Sequence, residues 1–303
     1  MENERASGDR LPAKRLIVNA DDFGFAHGVN EGILLAFQSG VLTSTTIMAN
    51  GQAFDEAAAI ARANPQLGVG VHLAIVGGRP VAPLNKVASL VDRSGLLRRT
   101  LSDLILELVR GRMNPWEIEI EFNAQIERVL DAGIVPTHVD THKHSQIVGP
   151  VAKALARSAN KFGIKRVRFP FEKISDYWLA GDAARANRRV YMKQFLQAST
   201  TAYRARSFKK LAARAGLKTP DRFFGVSLTG LLDSAAMINV VRMIGAGTSE
   251  LMCHPAVHDD SLERAATRLK SQRQRELDAL TDPRVRDAMR ENRIELISFR
   301  ELD

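Results

Sequence analysis

A single cysteine, Cys253, in 303 residues excludes an intramolecular disulfide and fits a reducing compartment, so a cytoplasmic protein is expected. Cys253 sits in an apolar, strand-like run, where a buried structural thiol is the commoner use than a nucleophile. Aromatic residues are scarce at 6%, with Trp116 and Trp178 the only tryptophans. An open groove paved with rings for a soluble sugar chain is therefore poorly supplied. No run reaches the ~20 apolar residues that span a bilayer, so no transmembrane segment is expected. Residues 1–13 are polar, lack the apolar core of a signal peptide, and read as a flexible tail. Acidic residues are absent between Asp182 and Asp221, a stretch that carries Arg185, Arg188, Arg189, Lys193, Arg204, Arg206, Lys209, Lys210, Arg214 and Lys218. The net charge of +9 is concentrated there. This basic stretch, 183–220, reads either as the solvated face of a helical segment or as a dock for an anionic ligand or membrane surface.

What is present is a repeated β-α rhythm. Short β-prone runs at 15–20, 44–49, 68–73, 136–141, 165–169, 222–227, 250–253 and 294–299 alternate with helical patterns. The helices are expected at 29–38, 54–63, 116–131, 148–162, 234–244 and 262–280. The alternation predicts an α/β fold, a (β/α) TIM-like barrel of seven or eight strands, with a doubly wound open sheet as the other option. One domain over 14–303 accommodates all of it. Two stretches break the rhythm, 79–113 after the third strand and 172–219 after the fifth. Both read as helical insertions able to roof a cleft. In the first, Leu97, Leu101, Leu104, Ile105, Leu108 and Val109 fit one helical face, suited to packing on the body or to an apolar substrate tail.

Chemistry-bearing residues gather at strand ends. Asp21 and Asp22 follow the first strand and precede Gly24. Helix capping is the ordinary use of such a pair, but a turn there brings both carboxylates to one pocket. His72 closes the third strand. The fourth carries His138, Asp140, His142, Lys143 and His144, and 138, 140, 142 and 144 share the parity of one strand face. An Asp two residues from a His can hold the ring's second nitrogen, as metal-bound imidazoles require. His254, before Pro255, ends a further strand, whereas His258 reads as loop surface. Imidazoles and a carboxylate converging on one barrel mouth leave open positions on a divalent metal.

The motifs Asn-Ala-Asp-Asp-Phe-Gly at 19–24, Thr-Ser-Thr-Thr at 43–46, Gly-Val-His-Leu at 70–73, Thr-His-Val-Asp-Thr-His at 137–142 and Met-Cys-His-Pro at 252–255 occur in one order. Together the pattern resembles the YdjC-like carbohydrate deacetylases, a family that includes chitooligosaccharide deacetylases and a hopanoid-associated branch. The resemblance runs from about residue 15 to 299. It implies a barrel hydrolase that removes N-acetyl groups from amino sugars with one divalent ion, Zn, Mg, Mn or Co. Asp22, His72 and His142 match the metal triad, Asp21 the catalytic base, and His254 the histidine near the leaving group. His138, Asp140, His144 and Lys143 fall in supporting or substrate-binding positions. The run Lys143-His144-Ser145-Gln146 is poorer in histidine than is usual for the family.

The expected partner is an N-acetylated amino sugar, in an oligosaccharide or a glycolipid, with peripheral contact to an anionic membrane and a homodimer as further expectations. A metal phosphoesterase would need more carboxylates at strand ends. A non-catalytic anionic-ligand binder would leave the histidines unexplained, and no nucleic-acid-binding motif occurs.

Overall fold

The computed structural model describes residues 13–173 and 181–303. The tail expected at 1–13 lies outside them but for Ala13, as does part of the second expected insertion, including Trp178.

Seven strands are formed among the described residues: β1 (Lys14–Phe23), β2 (Ser44–Ile47), β3 (Gly68–Leu73), β4 (Val139–Thr141), β5 (Arg222–Phe224), β6 (Gly247–Cys253) and β7 (Ile294–Leu296). Every pairing between them is parallel, in the order β4-β3-β2-β1-β6-β5, with β7 beside the start of β1. β2 and β3 are buried along their whole length, and β1 beyond its first two residues. Such burial follows when helices cover both faces of a parallel sheet; β1 and β3 are mainly apolar, while β2 buries the hydroxyls of Ser44, Thr45 and Thr46. The result is an α/β fold with a curled parallel sheet surrounded by helices.

The strand expected at 165–169 is not a full strand. Val167 bridges Val139, and Arg166 bridges Lys218. Arg168 N donates to Val139 O and Val167 N to Lys218 O, at 3.2 and 2.9 Å. No longer ladder joins this segment to β5 among the described residues, so the barrel is not closed by continuous pairing. β4 is also shorter than its expected 136–141, because residues 136–138 make only single contacts such as Thr137 N to Val69 O.

The helices Phe54–Ala63, Pro115–Asp131, Gly149–Lys161 and Ser234–Met243 occupy their expected places. Pro115–Asp131 begins where Asn114 Oδ1 accepts from Trp116 N, with Pro115 in the first turn. The long helix expected at 262–280 is instead two, Asp260–Arg264 and Ser271–Thr281. Lys270 folds back and its Nζ donates to the carbonyls of Glu263 and Ala265, at 2.6 and 2.8 Å, which caps the short helix and ends it. A further helix, Pro283–Glu291, starts at an Asp282 cap.

Residues 79–113 contain the helix Leu101–Val109, opened by a Thr100–Asp103 capping box. Leu97 is not on that helix; it bridges Val91. Of the expected apolar face, Leu104 is buried, while Ile105 and Val109 are 41% and 80% exposed. The described part of 172–219 forms the helices Asp182–Ala186, Arg188–Thr201 and Ala205–Arg214. No helix among the described residues is long and apolar enough to cross a membrane.

Candidate active site

The two adjacent carboxylates reach one pocket through a β-bulge. Ala20 pairs with Thr45 and Phe23 with Ile47, so Asp21 and Asp22 together stand opposite Thr46 alone. A bulge breaks the alternation that would point neighbours to opposite faces. Asp22 takes up the extra residue with φ of 69°, and Gly24, at φ 89°, turns the chain toward the helix His27–Ser39. Asp22 does not cap that helix; Ala26 stands at its N-cap.

Asp22 Oδ1, His72 Nε2 and His142 Nδ1 converge. Oδ1 lies 3.2 Å from His142 Nδ1 and 3.5 Å from His72 Nε2, and the two ring nitrogens are 3.2 Å apart. Asp22 Oδ1 is buried and makes no hydrogen bond. Its other oxygen accepts from Arg273 Nη2 at 2.5 Å. His72 Nδ1 is held by Asp140 Oδ1 at 2.7 Å, with Thr46 Oγ1 at 3.2 Å, so the ring turns Nε2 toward the cluster. All three ligand atoms lie within 4.8 Å of one another. Asp21, His72 and Asp140 form a second group within the same distance. Those carboxylates are already engaged by Arg168 and His72, which leaves the first group as the candidate metal centre.

Arg168 is the residue that organises the rest. It is fully buried; Nη1 and Nη2 donate to Asp21 Oδ2 and Oδ1 at 2.7 and 2.6 Å, Nη1 meets Asp140 Oδ2 at 2.5 Å, and Nε donates to Glu250 Oε1 at 2.7 Å. Burial alone would raise the Asp21 carboxyl, but Arg168, helped by His72, holds it well below the usual range. Asp22 is lowered too, against burial, by Arg273, His142 and His72.

The charges show that the donor set fits a divalent cation. Asp21, Asp22, Asp140 and Glu250 face the guanidiniums of Arg168 and Arg273. Four carboxylates against two guanidiniums leave two negative charges uncompensated. Without an ion, protons make up the difference. Burial pushes Glu250 up to about 8, despite Arg168. Burial works against charge on His72, yet Asp140 and Asp21 outweigh it and raise the ring to about 9.

His254 lies 3.9 Å through Nδ1 from Glu276 Oε2, and its side chain is 12% exposed. Burial lowers it to about 4, so it is neutral at pH 7. Glu276 accepts from His254 N at 2.5 Å and from Gly230 N at 2.8 Å, which fixes the loop after β6.

The shared parity of 138, 140, 142 and 144 does not put four residues on one face. β4 ends at Thr141, and Lys143 and His144 both have left-handed backbones, φ 54° and 51°. His144 packs edge-on to Phe223 with Nδ1 buried and without a hydrogen bond. Lys143 Nζ donates to Arg99 O at 3.0 Å, tying the turn to the 79–113 segment. His138 stacks on Phe299 with centroids 3.7 Å apart, and Thr137 Oγ1 lies 2.9 Å from its Nδ1. Cys253 is buried, with its thiol pushed up by burial. His258 pairs with Glu263 at the surface.

Arg168, Glu250, Arg273 and Glu276 are site residues that sequence reasoning missed. Glu250 carried a usable signal, a charge directly before the apolar Leu251, Met252 and Cys253, whereas Arg168 was masked by Lys165 and Arg166 in the same short run. Arg273 and Glu276 carried a weaker one, since they stand four residues before Leu277 and Leu280 on the helix face that packs inward.

A sequence model of the YdjC-like protein family matches residues 15–291. A carbohydrate deacetylase from Geobacillus stearothermophilus is 37% identical over 289 residues, covering 94% of this chain and 96% of that protein. Another from Brevibacillus brevis is 32% identical, covering 95% and 99%. Among solved structures, a protein from Enterococcus faecalis V583, provisionally described as a cellobiose-phosphate cleavage protein, superimposes with a TM-score of 0.78. It is 26% identical and covers 96% of this chain and 99% of its own.

Proposed function

The chain belongs to the YdjC-like protein family, and from that premise and the geometry of the site we infer that it is a carbohydrate N-deacetylase. The observation that carries the reading is the convergence of Asp22, His72 and His142 beside an Asp21 held ionised by Arg168. Those three residues would hold one divalent ion, with Zn, Mg, Mn and Co all compatible with nitrogen and carboxylate donors. A divalent ion held there would acidify a water molecule and polarise the acetyl carbonyl.

The side chains around it do the proton work. Asp21 is a carboxylate at every working pH and accepts the proton of the attacking water. Arg168 fixes both its oxygens, so Asp21 waits in one orientation. Asp140 keeps the His72 ring turned with Nε2 inward. His254 is neutral at rest, so the proton it gives the leaving nitrogen must first be acquired, and the proton taken by Asp21 is the available one. The products are acetate and a free amine.

The substrate class is an N-acetylated amino sugar. A lipid-linked sugar is favoured over a soluble oligosaccharide by one observation. A cavity of about 460 Å³, lined by Ile105, Leu108, Val109, Ile147, Val148 and Tyr203 among others, adjoins the turn that carries His142.

The test is amine release by metal-stripped protein from chitobiose, longer chitooligomers and an N-acetylglucosaminyl lipid, with each ion added back. Release restored by metal and abolished by Asp21→Asn is expected. Near-normal turnover in Asp21→Asn sinks the role given to Asp21, and no release from any acetylated sugar sinks the deacetylase reading.

A further inference from the structure

We propose that the face built from the helix Arg188–Thr201 and the neighbouring end of the helix Leu101–Val109 docks on an anionic phospholipid bilayer. Three observations carry this. First, an exposed stripe runs along one side of Arg188–Thr201 and past its end. Arg188, Arg189, Met192, Lys193 and Leu196 line one shallow cavity of about 680 Å³. At the helix's far end, Thr200 and Tyr203 line a second cavity with Ile105, Leu108 and Val109 of the other helix. The spacing 189, 192/193, 196, 200, 203 keeps this stripe on one side.

Second, the stripe exposes large apolar side chains that a monomer in water has no reason to show together. Leu196 is 57% exposed, Tyr203 72% and Val109 80%. Contiguous apolar surface rimmed by charge marks a contact site.

Third, the rim that Arg188–Thr201 supplies is of one sign, and Glu107 on the other helix is paired with Arg98 and Arg110. Arg188, Arg189 and Lys193 are exposed and form no ion pair among the described residues, and the sequence has no carboxylate from 183 to 220 to offset them. A helix with aliphatic and tyrosyl side chains on one stripe and unneutralised cations beside it has the amphipathic form that lies in a lipid headgroup layer. A nucleic acid would use the cations but leave the aliphatic side chains in water. The second cavity is also lined by Ile147, Val148, Gly149 and Pro150, in the segment that follows the turn carrying His142.

The proposal does not depend on the deacetylase reading, because docking is measured without turnover. The experiment is co-sedimentation of the full chain with vesicles of phosphatidylcholine alone or with 30 mol% phosphatidylglycerol, at low and high salt. Retention on the anionic vesicles alone, weakened by salt, is expected. Each cation near the surface contributes roughly fivefold, so Arg188→Glu with Arg189→Glu and Lys193→Glu should weaken binding by at least about 100-fold. Tyr203→Ser with Val109→Ser should weaken it by roughly tenfold. Both sets of substitutions lie at exposed positions and should leave the thermal transition unchanged. No retention on anionic vesicles, equal retention on neutral ones, or retention untouched by the charge reversals would overturn the proposal. So would light scattering that shows a dimer dissociated by those reversals, since a second copy would then cover the face.

Discussion

Arg168 grips Asp21 with both terminal nitrogens, at 2.6 and 2.7 Å, in a site from which both are almost wholly shielded from water. The same guanidinium holds Asp140 and Glu250, so its removal strands three carboxylates at once. Breaking a buried pair from one side typically costs about 3–5 kcal/mol. Arg168→Lys keeps the charge but cannot form the two-pronged contact. With that contact gone, burial dominates and the Asp21 carboxyl rises. Asp21, as the proposed base, must be ionised to act, so Arg168→Lys should show an acid limb of the kcat/KM profile at higher pH than the unchanged protein does. An unmoved limb with only a lower plateau would show that Arg168 acts on fold alone.

Asp22 makes a second prediction through its backbone. Its φ of 69° suits Asn better than residues without a short polar side chain. Asp22→Asn should keep the bulge and lose the charge that completes the donor set, so metal uptake measured by calorimetry should fall steeply, and the melting temperature should fall as well because Arg273 loses its carboxylate partner. Asp22→Ala should lose uptake and also about 1–2 kcal/mol of stability from left-handed strain. Equal melting temperatures for the two variants would contradict the strain argument.

Much of this was legible in the sequence, and the losses have physical causes. The βα rhythm placed β1, β2, β3 and β6 well, because apolar and β-branched runs bounded by turns mark buried strands. It overstated 165–169, Lys-Arg-Val-Arg-Phe, since a short run around a β-branched and an aromatic residue looks the same whether it forms a full ladder or two bridges. Asp22, His72 and His142 were visible as strand-end residues and do come together. The bulge that lets Asp21 and Asp22 share a pocket is a pairing property, and one strand's sequence does not contain its partner's register. Parity failed at His144 because it assumes an extended chain, and φ turns positive at Lys143. Arg273 and Glu276 share the inward face of Leu277 and Leu280, but which groups a buried charge meets there is decided by tertiary packing.

Gly70 tests the support beneath the site. A Cβ there would lie 2.5 Å from the His138 ring, which is itself stacked on Phe299. Both groups are fully buried, so neither can move aside cheaply. Gly70→Ala should cost about 1–3 kcal/mol in urea unfolding. A cost near zero would show that the His138–Phe299 stack yields easily.

His144 gives a pH dependence. Burial lowers its pKa to about 3, against about 6.5 for an unfolded histidine. Between those values the unfolded chain binds a proton that the folded one refuses. Its contribution to stability is therefore lost as pH falls below about 6.5, by up to about 1.4 kcal/mol per pH unit. Glu276, raised by burial to about 7, acts in the opposite direction over part of this range, so the test is a difference. Asn tolerates the left-handed backbone at this position, and His144→Asn should flatten the acid-side decline between pH 6 and 4 relative to the unchanged protein. Parallel declines in urea-unfolding series would show that His144 is not the group responsible.

Ion binding should be paid for in protons. At pH 7 His72, at about 9, and Glu250, at about 8, both carry protons in the ion-free cluster. His72 keeps its Nδ1 proton for Asp140 and must give up the Nε2 proton before that nitrogen can bind a cation. Two added positive charges also favour the ionised form of Glu250, against the burial that holds it protonated. Titration of metal-stripped protein with Zn in buffers of different ionisation enthalpy should therefore show about one to two protons released per ion at pH 7. Asp140→Asn removes the partner that most raises His72, so less proton should be released and the ion should bind more weakly. Release of no proton by the unchanged protein would mean that His72 is not a ligand, and the centre at Asp22, His72 and His142 would have to be abandoned.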